Sequence, residues 1–400
     1  MYNLLLSKSL LLIAVCFATL TSISQSNRKL HQAAIVADTH NDVLSEVAEK
    51  GYDLGKNLKG TTHTDLSRLK KGGVDIQVFS IFCDERFGKG TAFNYALREM
   101  DTLLNVATRN PDKISIVNDP GQMNAAIRAN KIAAITGVEG GHMIEDNLDY
   151  LDSLYRRGAR YLTLTWNNST SWATSAADES SGKLPFGTKG LTVFGRTVVQ
   201  RMNDLGMMVD ISHVGEQTFN DVIAITTKPV IASHSSVYNL CPHPRNLKDD
   251  QIRAIGKNGG VIFINFYSGF IDSNYMRRKA EFFQIHKREV DSLVALKLPL
   301  YKVDDLFFKR YPNETQALRP TLAQLIDHIE YVIRLIGVNH VGLGSDFDGI
   351  ESLPQGLNGV EDFPKITEAL LQRGYNKKDV NKILGENFIR VFKSVNSTKK

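Results

Sequence analysis

The chain has 400 residues, 42% of them hydrophobic and 23% charged, which is typical of a globular protein. Its net charge of +5 is small, and Lys and Arg are interleaved with Asp and Glu. The sequence has no basic stripe with interleaved aromatic residues, which argues against nucleic acid as a partner. By length, one large α/β domain and two smaller domains are equally compatible with the chain.

Residues 1–25 have the layout of a secretory signal peptide. Lys8 precedes an apolar run from Leu10 to Leu20, and small and polar residues follow it. The run is short for a membrane span, so we expect cleavage between Ser22 and Ser26 and no span in the mature chain. Cys16 follows a bulky valine, which disfavours a lipoprotein signal. The sequence therefore predicts an exported protein, periplasmic or secreted.

Eight short apolar runs rich in branched residues recur along the rest of the chain. Most intervals between them hold a helix-length segment with apolar residues at three-to-four spacing. Near-continuous apolar strands that alternate with helices indicate a parallel sheet covered on both faces. We therefore predict one α/β domain over residues 26–400, a (β/α)8 TIM barrel, with residues 113–117 as a peripheral ninth strand. The eight runs are residues 33–37, 74–82, 132–138, 161–165, 207–211, 229–232, 261–266 and 341–343.

Two segments interrupt this alternation. Residues 167–190 are polar and rich in small side chains, which is typical of a long loop. Residues 271–320 form an insertion after the seventh predicted strand, with a charged, partly amphipathic stretch and an aromatic one. An insertion after a barrel strand lies on the catalytic face, so it is either a lid or a surface excursion without function.

Two cysteines remain in the predicted mature chain, Cys83 and Cys241. A single disulfide is compatible with an oxidising compartment, but sequence alone cannot establish it. Both lie in apolar surroundings, which favours buried free thiols.

The first predicted strand ends in alternating polar residues. Asp38, His40 and Asp42 are two residues apart, and side chains at that spacing point to the same side of a strand. His and Asp are both ligands of divalent metals. Taken alone, the pattern also fits a strand end with a polar turn.

Four later strands also end in side chains that can bind a metal or carry a proton. These residues are Glu139, His213, His234 and Asp346. In a barrel the carboxyl ends of the strands meet at one mouth, where the active site lies. With His40 and Asp42 from the first strand, the mouth would hold three imidazoles and three carboxylates. These are too many for one ion, and they suit two divalent ions that share a bridging carboxylate.

The remaining histidines are interpreted differently. His63 and His142 lie near the predicted mouth and are candidates for support of the site. The others are predicted to be structural or exposed: His31, His243, His286, His328 and His340.

The same motifs resemble the membrane dipeptidases, also called renal dipeptidases, which are binuclear zinc enzymes on an amidohydrolase-like (β/α)8 barrel. The resemblance runs in the family's order along nearly the whole predicted mature chain. The run SHSS followed by PRN and DD is far more specific than a single HxD. The matching stretches are DTHND, GVEGGH, RYLTLT, DISHV, SHSSVYNLCPHPRNLKDDQI and GLGSDFDG.

The resemblance implies a role for each of these residues. His40 and Asp42 would hold one zinc ion, His213 and His234 would hold the other, and Glu139 would bridge the two. Asp346 would be the acid/base that handles the proton of a water bridging the metals.

One substrate-binding position follows from the resemblance, and two positions depart from it. Arg245 falls where the family binds the terminal carboxylate of the substrate, a task suited to a guanidinium fork. Trp166 replaces the histidine that the animal enzymes place after the fourth strand, and Phe270 replaces a tyrosine after the seventh. We expect Trp166 either to wall the substrate pocket or to pack under the loop 167–190.

The predicted function is therefore an exported zinc dipeptidase that attacks the peptide bond with a metal-bridging hydroxide. The family tolerates D-residues at the second position, so L,D-dipeptides are included among the predicted substrates. Two alternatives are a related metallohydrolase of other small amides, such as β-lactams or N-acyl amino acids, and a non-catalytic binding protein on the same barrel. The sequence leaves the oligomeric state open, with a homodimer among the alternatives.

Overall fold

The computed structural model describes residues 25–297 and 300–396. Residues 1–24, which include Cys16 and nearly all of the predicted signal peptide, lie outside the described residues. None of the helices in the described ranges is long and apolar enough to cross a membrane.

Nine parallel strands form the sheet, and eight of them close into a barrel. The second strand pairs with both the first and the fourth, so the third strand, which pairs with the fourth, lies outside the closed ring. This confirms the (β/α)8 barrel and the peripheral position of residues 113–117. The strands are β1 (Val36–Asp38), β2 (Val74–Phe82), β3 (Ile114–Ile116), β4 (Ile132–Glu139), β5 (Ala159–Thr163), β6 (Met208–Asp210), β7 (Ile231–Ala232), β8 (Val261–Ile264) and β9 (Val341–Leu343).

Helices occupy the intervals between the strands and cover the barrel. Apolar residues at three-to-four spacing over residues 123–129, 148–157 and 193–205 predict helices, and the structure has them at Pro120–Arg128, Leu148–Arg156 and Val193–Leu205. Residues 25–33 are also helical. The other α-helices are Val43–Lys50, Leu66–Lys71, Ala92–Arg109, Ala176–Ser181, Glu216–Ile225, Asp249–Asn258, Ser268–Ile271, Tyr275–Ile285, Lys287–Val294, Leu300–Arg310, Pro312–Gln316, Leu322–Ile336, Phe363–Gln372, Lys377–Asn381 and Asn387–Asn396, with a π-helical turn at Lys382–Glu386.

The helix Val193–Leu205 illustrates how local sequence sets these bounds. The side chain of Thr192 accepts a hydrogen bond from the Gly195 N–H at the N-terminus, and Gly206 ends the helix with φ of 75°. A hydroxyl cap and a left-handed glycine satisfy backbone groups that a helix leaves free at its ends. The apolar side of the helix packs on the barrel.

The barrel interior is filled by side chains from alternate strands, as is usual for this fold. Tyr161 of β5 is fully buried there, among residues that include Ile76 of β2 and Phe263 of β8. It fits because Gly137 of β4 has no side chain, since a Cβ at that position would lie 2.0 Å from the phenol ring. The Tyr161 hydroxyl therefore reaches the mouth of the barrel.

The described residues of the insertion 271–320 are mostly helical and form their own apolar cluster. Tyr275, Phe282, Phe307, Phe308 and Leu318 pack together within it.

A buried ion pair attaches this cluster to the barrel. Lys279 donates hydrogen bonds to Glu351 Oε1 at 2.8 Å and to Asp304 Oδ2 at 2.5 Å. Glu351 belongs to the loop after β9, so the insertion is held at the same end of the barrel as the carboxyl ends of the strands.

Cys83 and Cys241 are both buried and free. The expectation of buried thiols is confirmed. Burial raises the pKa of the Cys241 thiol to about 11 and that of Cys83 further, so neither thiol is ionised at neutral pH.

Candidate metal centre and substrate cavity

The predicted ligands come from four different strands and meet at one mouth of the barrel. His40 and Asp42 follow β1, Glu139 is the last residue of β4, His213 follows β6 and His234 follows β7. Parallel pairing puts the carboxyl ends of these strands at one rim. All five side chains are buried.

Glu139 lies between the histidines, and its two oxygens face different partners. Oε1 is 2.8 Å from His213 Nε2 and 3.2 Å from His234 Nε2. Oε2 is 3.4 Å from His40 Nε2. A carboxylate placed in this way can share its oxygens between two cations, which is the arrangement expected for a bridging ligand.

The spacing of the donor atoms suits coordination of a shared cation. His213 Nε2 and His234 Nε2 face each other at 3.0 Å, and His40 Nε2 is 3.5 Å from Asp42 Oδ2. Ligand atoms about 2.0–2.2 Å from one tetrahedral ion lie roughly 3.3–3.6 Å apart.

An unpartnered nitrogen adds to this evidence. The Nε2 atom of His40 is buried and has no hydrogen-bond partner within the described residues. Because a buried polar atom is normally paired, an orphaned imidazole nitrogen that faces two carboxylates suits a metal ligand. The residues present therefore fit a metal.

Two overlapping groups of ligand atoms each lie within 4.8 Å of one another. One contains His40, Glu139 and His234, and the other contains His40, Asp42 and Asp346. His40 belongs to both groups, so the two groups form one continuous cluster at the mouth.

The electrostatic surroundings favour neutral imidazoles on one side of the cluster. Burial, together with the nearby Arg245 charge, lowers the pKa of His213 to about 3. Burial and the neighbouring His40 lower the pKa of His234 well below its usual range. Neutral imidazole is the form that binds metals, so His213 and His234 are available as ligands without losing a proton.

Asp346 lies beside this cluster in the loop after β9. Burial and the Asp42 carboxylate raise its pKa well above the usual range, and Asn265 donates a hydrogen bond to Oδ2 at 2.8 Å. Its backbone is left-handed, with φ of 62°. A Cβ at Gly349 would lie 2.3 Å from Asp42 Oδ2 and 2.6 Å from Asp346 Oδ1, so glycine lets this loop pass close to both carboxylates.

Asp38 does not join the cluster, although its spacing from His40 and Asp42 suggested that it would. Its carboxylate accepts hydrogen bonds from the Ser345 N–H at 2.8 Å, the Ser345 hydroxyl at 2.7 Å and Gln77 at 3.0 Å. Asp38 lies within β1, where it bonds the residue before Asp346, whereas His40 and Asp42 follow the strand at its carboxyl end.

His63 and His142 lie near the mouth without contributing to the cluster. His142 Nε2 is 3.0 Å from the Cys83 carbonyl, and His63 Nδ1 accepts from the Asp348 N–H at 3.0 Å. Both rings brace loops that line the mouth, which agrees with a supporting position.

A cavity of about 320 Å³ opens over the cluster. This volume is at the lower end of the range for small-molecule sites and suits a ligand the size of a dipeptide. Its lining includes Phe82, Trp166, Arg245, Phe270, Asp304 and Asp346. Asp304 comes from the insertion, so that segment contributes to the cavity wall.

Arg245 is a buried cation in this wall and is 7% exposed. Its hydrogen bonds, to Ser235 Oγ at 3.5 Å and the His234 carbonyl at 3.3 Å, are long, and Nε has no partner within the described residues. Burial lowers its pKa to about 10, which leaves it charged at neutral pH. A buried cation with weak partners is costly unless an anion pairs with it. Phe270 lies 5.4 Å below the guanidinium.

Trp166 forms part of the cavity wall, near the carboxyl ends of β2 and β6. Its ring lies 4.9 Å from that of Phe82 and 6.5 Å from that of His213. Trp172, which belongs to the loop 167–190, is fully buried, whereas Trp166 is only partly buried and lines the cavity. Of the two expectations for Trp166, the geometry agrees with the pocket wall.

We expect Trp166→Ala to change the choice of substrate rather than the metal content. Removal of the indole enlarges the cavity, and side-chain contacts in an apolar pocket typically discriminate between substrates by about 10-fold or more. The ratio of kcat/KM for dipeptides with large and small apolar side chains should shift by about that amount. An unchanged preference profile would mean that the wall position has no role in specificity.

Sequence analysis missed three residues that hold the cluster in place. Tyr161 and Ser233 contact the ring nitrogens of His40 and His234 that face away from the cluster, and Asn265 contacts Asp346. Ser233 and Asn265 directly follow strand ends and could have been noticed there. No sequence signal indicates that the hydroxyl of Tyr161, two residues inside β5, reaches His40 across the barrel.

Comparison with known proteins agrees with this geometry. The family model for membrane dipeptidases, peptidase family M19, matches residues 24–400. An uncharacterised dipeptidase of Schizosaccharomyces pombe is 32% identical over 388 residues, which cover 92% of this chain and 82% of that protein.

Solved structures show the same fold at lower sequence identity. The probable dipeptidase PvdM of Pseudomonas aeruginosa superposes with a TM-score of 0.76 at 23% identity, over 94% of this chain and 99% of that one. A metallopeptidase of Rhodobacter sphaeroides, solved with a phosphinate mimic of the dipeptide L-Ala-D-Ala, gives a TM-score of 0.73 at 23% identity, over 90% and 99% of the two chains.

Proposed function

The chain belongs to the membrane dipeptidase family, peptidase family M19, and is a metallo-dipeptidase; from that premise we propose that it is an exported, zinc-dependent enzyme that cleaves dipeptides, including L,D-dipeptides. The observation that carries the proposal is the position of Glu139, whose two oxygens face histidines on opposite sides of the mouth. The D-residue is suggested by the L-Ala-D-Ala mimic bound to the Rhodobacter relative.

The proposed metal content is two zinc ions per chain. His40 and Asp42 would hold one, His213 and His234 would hold the other, and Glu139 would bridge them. The donors are imidazole nitrogens and carboxylate oxygens, which suit zinc. Two such ions would lower the pKa of water at the site and polarise the scissile carbonyl.

The protein's own groups would then handle the proton and the substrate. Asp346 would accept a proton from the attacking water and return it to the leaving amine, as a general base and then a general acid. Burial suits it to this task because it raises the pKa of the carboxyl and so raises its affinity for a proton. Asn265 would fix the orientation of the carboxylate through its bond to Oδ2.

Arg245 would bind the carboxylate of the C-terminal residue. The guanidinium is buried, charged and weakly bonded, so a substrate carboxylate would supply the anion that it lacks. This requirement places a free carboxylate one residue beyond the scissile bond, which distinguishes a dipeptidase from an endopeptidase.

The test of the proposed function is hydrolysis of matched peptides. We expect cleavage of L,L- and L,D-dipeptides with a free C-terminus and poor cleavage of the same peptides as C-terminal amides. Arg245→Ala should raise KM for free dipeptides by about 10- to 100-fold, because a hydrogen bond to a charged group contributes roughly 1.5–3 kcal/mol.

Arg86→Ala serves as the matched control. Arg86 is an arginine on the rim of the same cavity, 62% exposed and paired with Asp84 at 2.8 Å. Its loss should leave KM nearly unchanged. Equal cleavage of free and amidated dipeptides by the unmutated enzyme would contradict the role of Arg245.

The same peptide panel addresses the alternative substrates. β-Lactams and N-acyl amino acids also present a small amide near a carboxylate, so they should be included at matched concentrations. Faster hydrolysis of these amides than of any dipeptide would assign the site to them. The second alternative, a non-catalytic binding protein, requires a lost ligand, and the five proposed ligands and Asp346 are all in the chain.

Export and oligomeric state complete the proposal. Export to the periplasm or the medium rests on the layout of residues 1–25, and fractionation of the expressing cells with N-terminal sequencing of the mature protein would test it. A homodimer stays a prediction, and light scattering of the purified protein would decide it.

A further inference from the structure

The two nitrogens of an imidazole ring have different roles when one of them binds a metal. The ligand nitrogen needs its lone pair, so the proton must reside on the other nitrogen. A hydrogen-bond acceptor opposite that second nitrogen fixes the tautomer and the ring orientation. His40 and His234 both face the cluster with Nε2, so the partner of Nδ1 decides whether each is ready to bind.

The partner of His40 Nδ1 is the phenol hydroxyl of Tyr161, which lies on another strand of the barrel. Tyr161 Oη lies 2.8 Å from His40 Nδ1 and 3.2 Å from the Thr39 carbonyl. A carbonyl can only accept, so the phenol proton points to Thr39. The phenol oxygen then accepts the Nδ1 proton of His40, and Nε2 keeps its lone pair.

The partner of His234 is the hydroxyl of the residue before it. Ser233 Oγ lies 2.8 Å from His234 Nδ1 and 2.6 Å from Asp210 Oδ2. The serine hydroxyl donates to this carboxylate oxygen, so the serine proton points to Asp210. Ser233 Oγ therefore accepts the Nδ1 proton of His234. Asp210 is itself fixed, because it also accepts from the Ser233 and Ser212 N–H groups and from the Thr163 hydroxyl.

We propose that Tyr161 and Ser233 are positioning residues that set the tautomers of His40 and His234, and that each acts on a different one of the two metal sites. His213 has no hydrogen-bond acceptor of this kind, since its Nδ1 is buried without a partner within the described residues. Its ring is placed instead by the left-handed backbone at φ of 66° and by contacts of Nε2. This inference rests on the proposed function, because it requires two metal sites.

The test is a measurement of zinc affinity on the full mature chain. Metal-free protein is titrated with zinc against a chromophoric chelator, which yields binding constants without reference to activity. Loss of the outer partner of a metal-binding histidine typically lowers affinity by about 10- to 100-fold. We expect a loss of that size at one site for Tyr161→Phe and at the other site for Ser233→Ala.

Single-site backgrounds assign each effect. In His213→Ala protein, where the His40 site remains, Tyr161→Phe should weaken zinc binding and Ser233→Ala should not. In Asp42→Asn protein, where the His234 site remains, Ser233→Ala should weaken zinc binding and Tyr161→Phe should not. Tyr275→Phe is the control, because it removes another buried phenol hydroxyl, bonded to Glu351 at 3.2 Å, and should change neither constant.

Both substitutions are chosen to preserve the fold. Phenylalanine keeps the ring that fills the space beside Gly137, and Ser233→Ala is an independent variant of a different strand end. Circular dichroism and thermal unfolding of the metal-free variants should match those of the unmutated protein.

Three outcomes are informative. Unchanged constants in both variants, or an equal loss at both sites from either one, would overturn this inference while the metal centre stands. No zinc binding by the unmutated protein would instead overturn the proposed function. Selective losses that exchange between the two backgrounds would support the inference.

Discussion

Removal of bound metal with a chelator should abolish dipeptide hydrolysis, and added zinc should restore it. The expected loss is complete because the proposed nucleophile is a water activated by the metal. Cys83 lines the cavity, but burial raises its pKa so far that the thiol stays protonated.

Substitution of a ligand should have a related effect. His213→Ala removes an imidazole 2.8 Å from Glu139 and should lower both zinc content, measured by mass spectrometry, and turnover. His340→Ala is the control, since this histidine bonds the Gly260 carbonyl at the other end of β9 and should leave zinc content unchanged. Full activity in metal-free protein would contradict the entire proposal for the site.

Asp346→Asn should keep zinc largely bound and lose about 10²- to 10⁴-fold in kcat, the usual contribution of general acid/base catalysis. Asparagine has nearly the same shape and tolerates the left-handed backbone at φ of 62°, so the loop should keep its conformation. What it lacks is the ability to accept and return a proton. The measurement is single-turnover hydrolysis alongside zinc content.

Asp348→Asn is the matched control for this variant. Asp348 is two residues away, also left-handed at φ of 68°, and also lines the cavity. Its Oδ1 accepts the His63 N–H at 2.6 Å, so it is engaged with the backbone instead of facing the cluster. It should retain most of the turnover. An equal loss in both variants would mean that charge in this loop matters and that Asp346 has no specific proton-transfer role.

The barrel could be predicted because its signal is local and repeated. Each strand is a short apolar run and each helix has apolar spacing, so eight repeats of one pattern indicated the fold without any knowledge of contacts. The bounds were less accurate, as in β5, which spans Ala159–Thr163 where residues 161–165 were expected. Residues 164 and 165 are buried like strand residues but lie beyond the ladder, and apolar composition cannot distinguish the two cases.

The gathering of the site residues followed from the fold and from residue type. Parallel strands bring their carboxyl ends to one rim, so metal-binding side chains at those ends had to approach one another. The same reasoning wrongly placed Asp38 with the site residues. Strand alternation predicts which side of a strand a residue faces, but it does not predict the residue at which the strand ends. Asp38 is within β1, whereas His40 and Asp42 are beyond it.

By itself the sequence determined the barrel, the resemblance to the dipeptidases and the residues able to form a metal centre, since each depends on patterns along the chain. Only the tertiary structure decided which contacts these residues make. The position of Trp166 in the cavity wall, the weak bonding of Arg245 and the reach of the Tyr161 hydroxyl to His40 all join residues from different strands. The last of these also depends on the space left by Gly137, which becomes evident only when two neighbouring strands are paired.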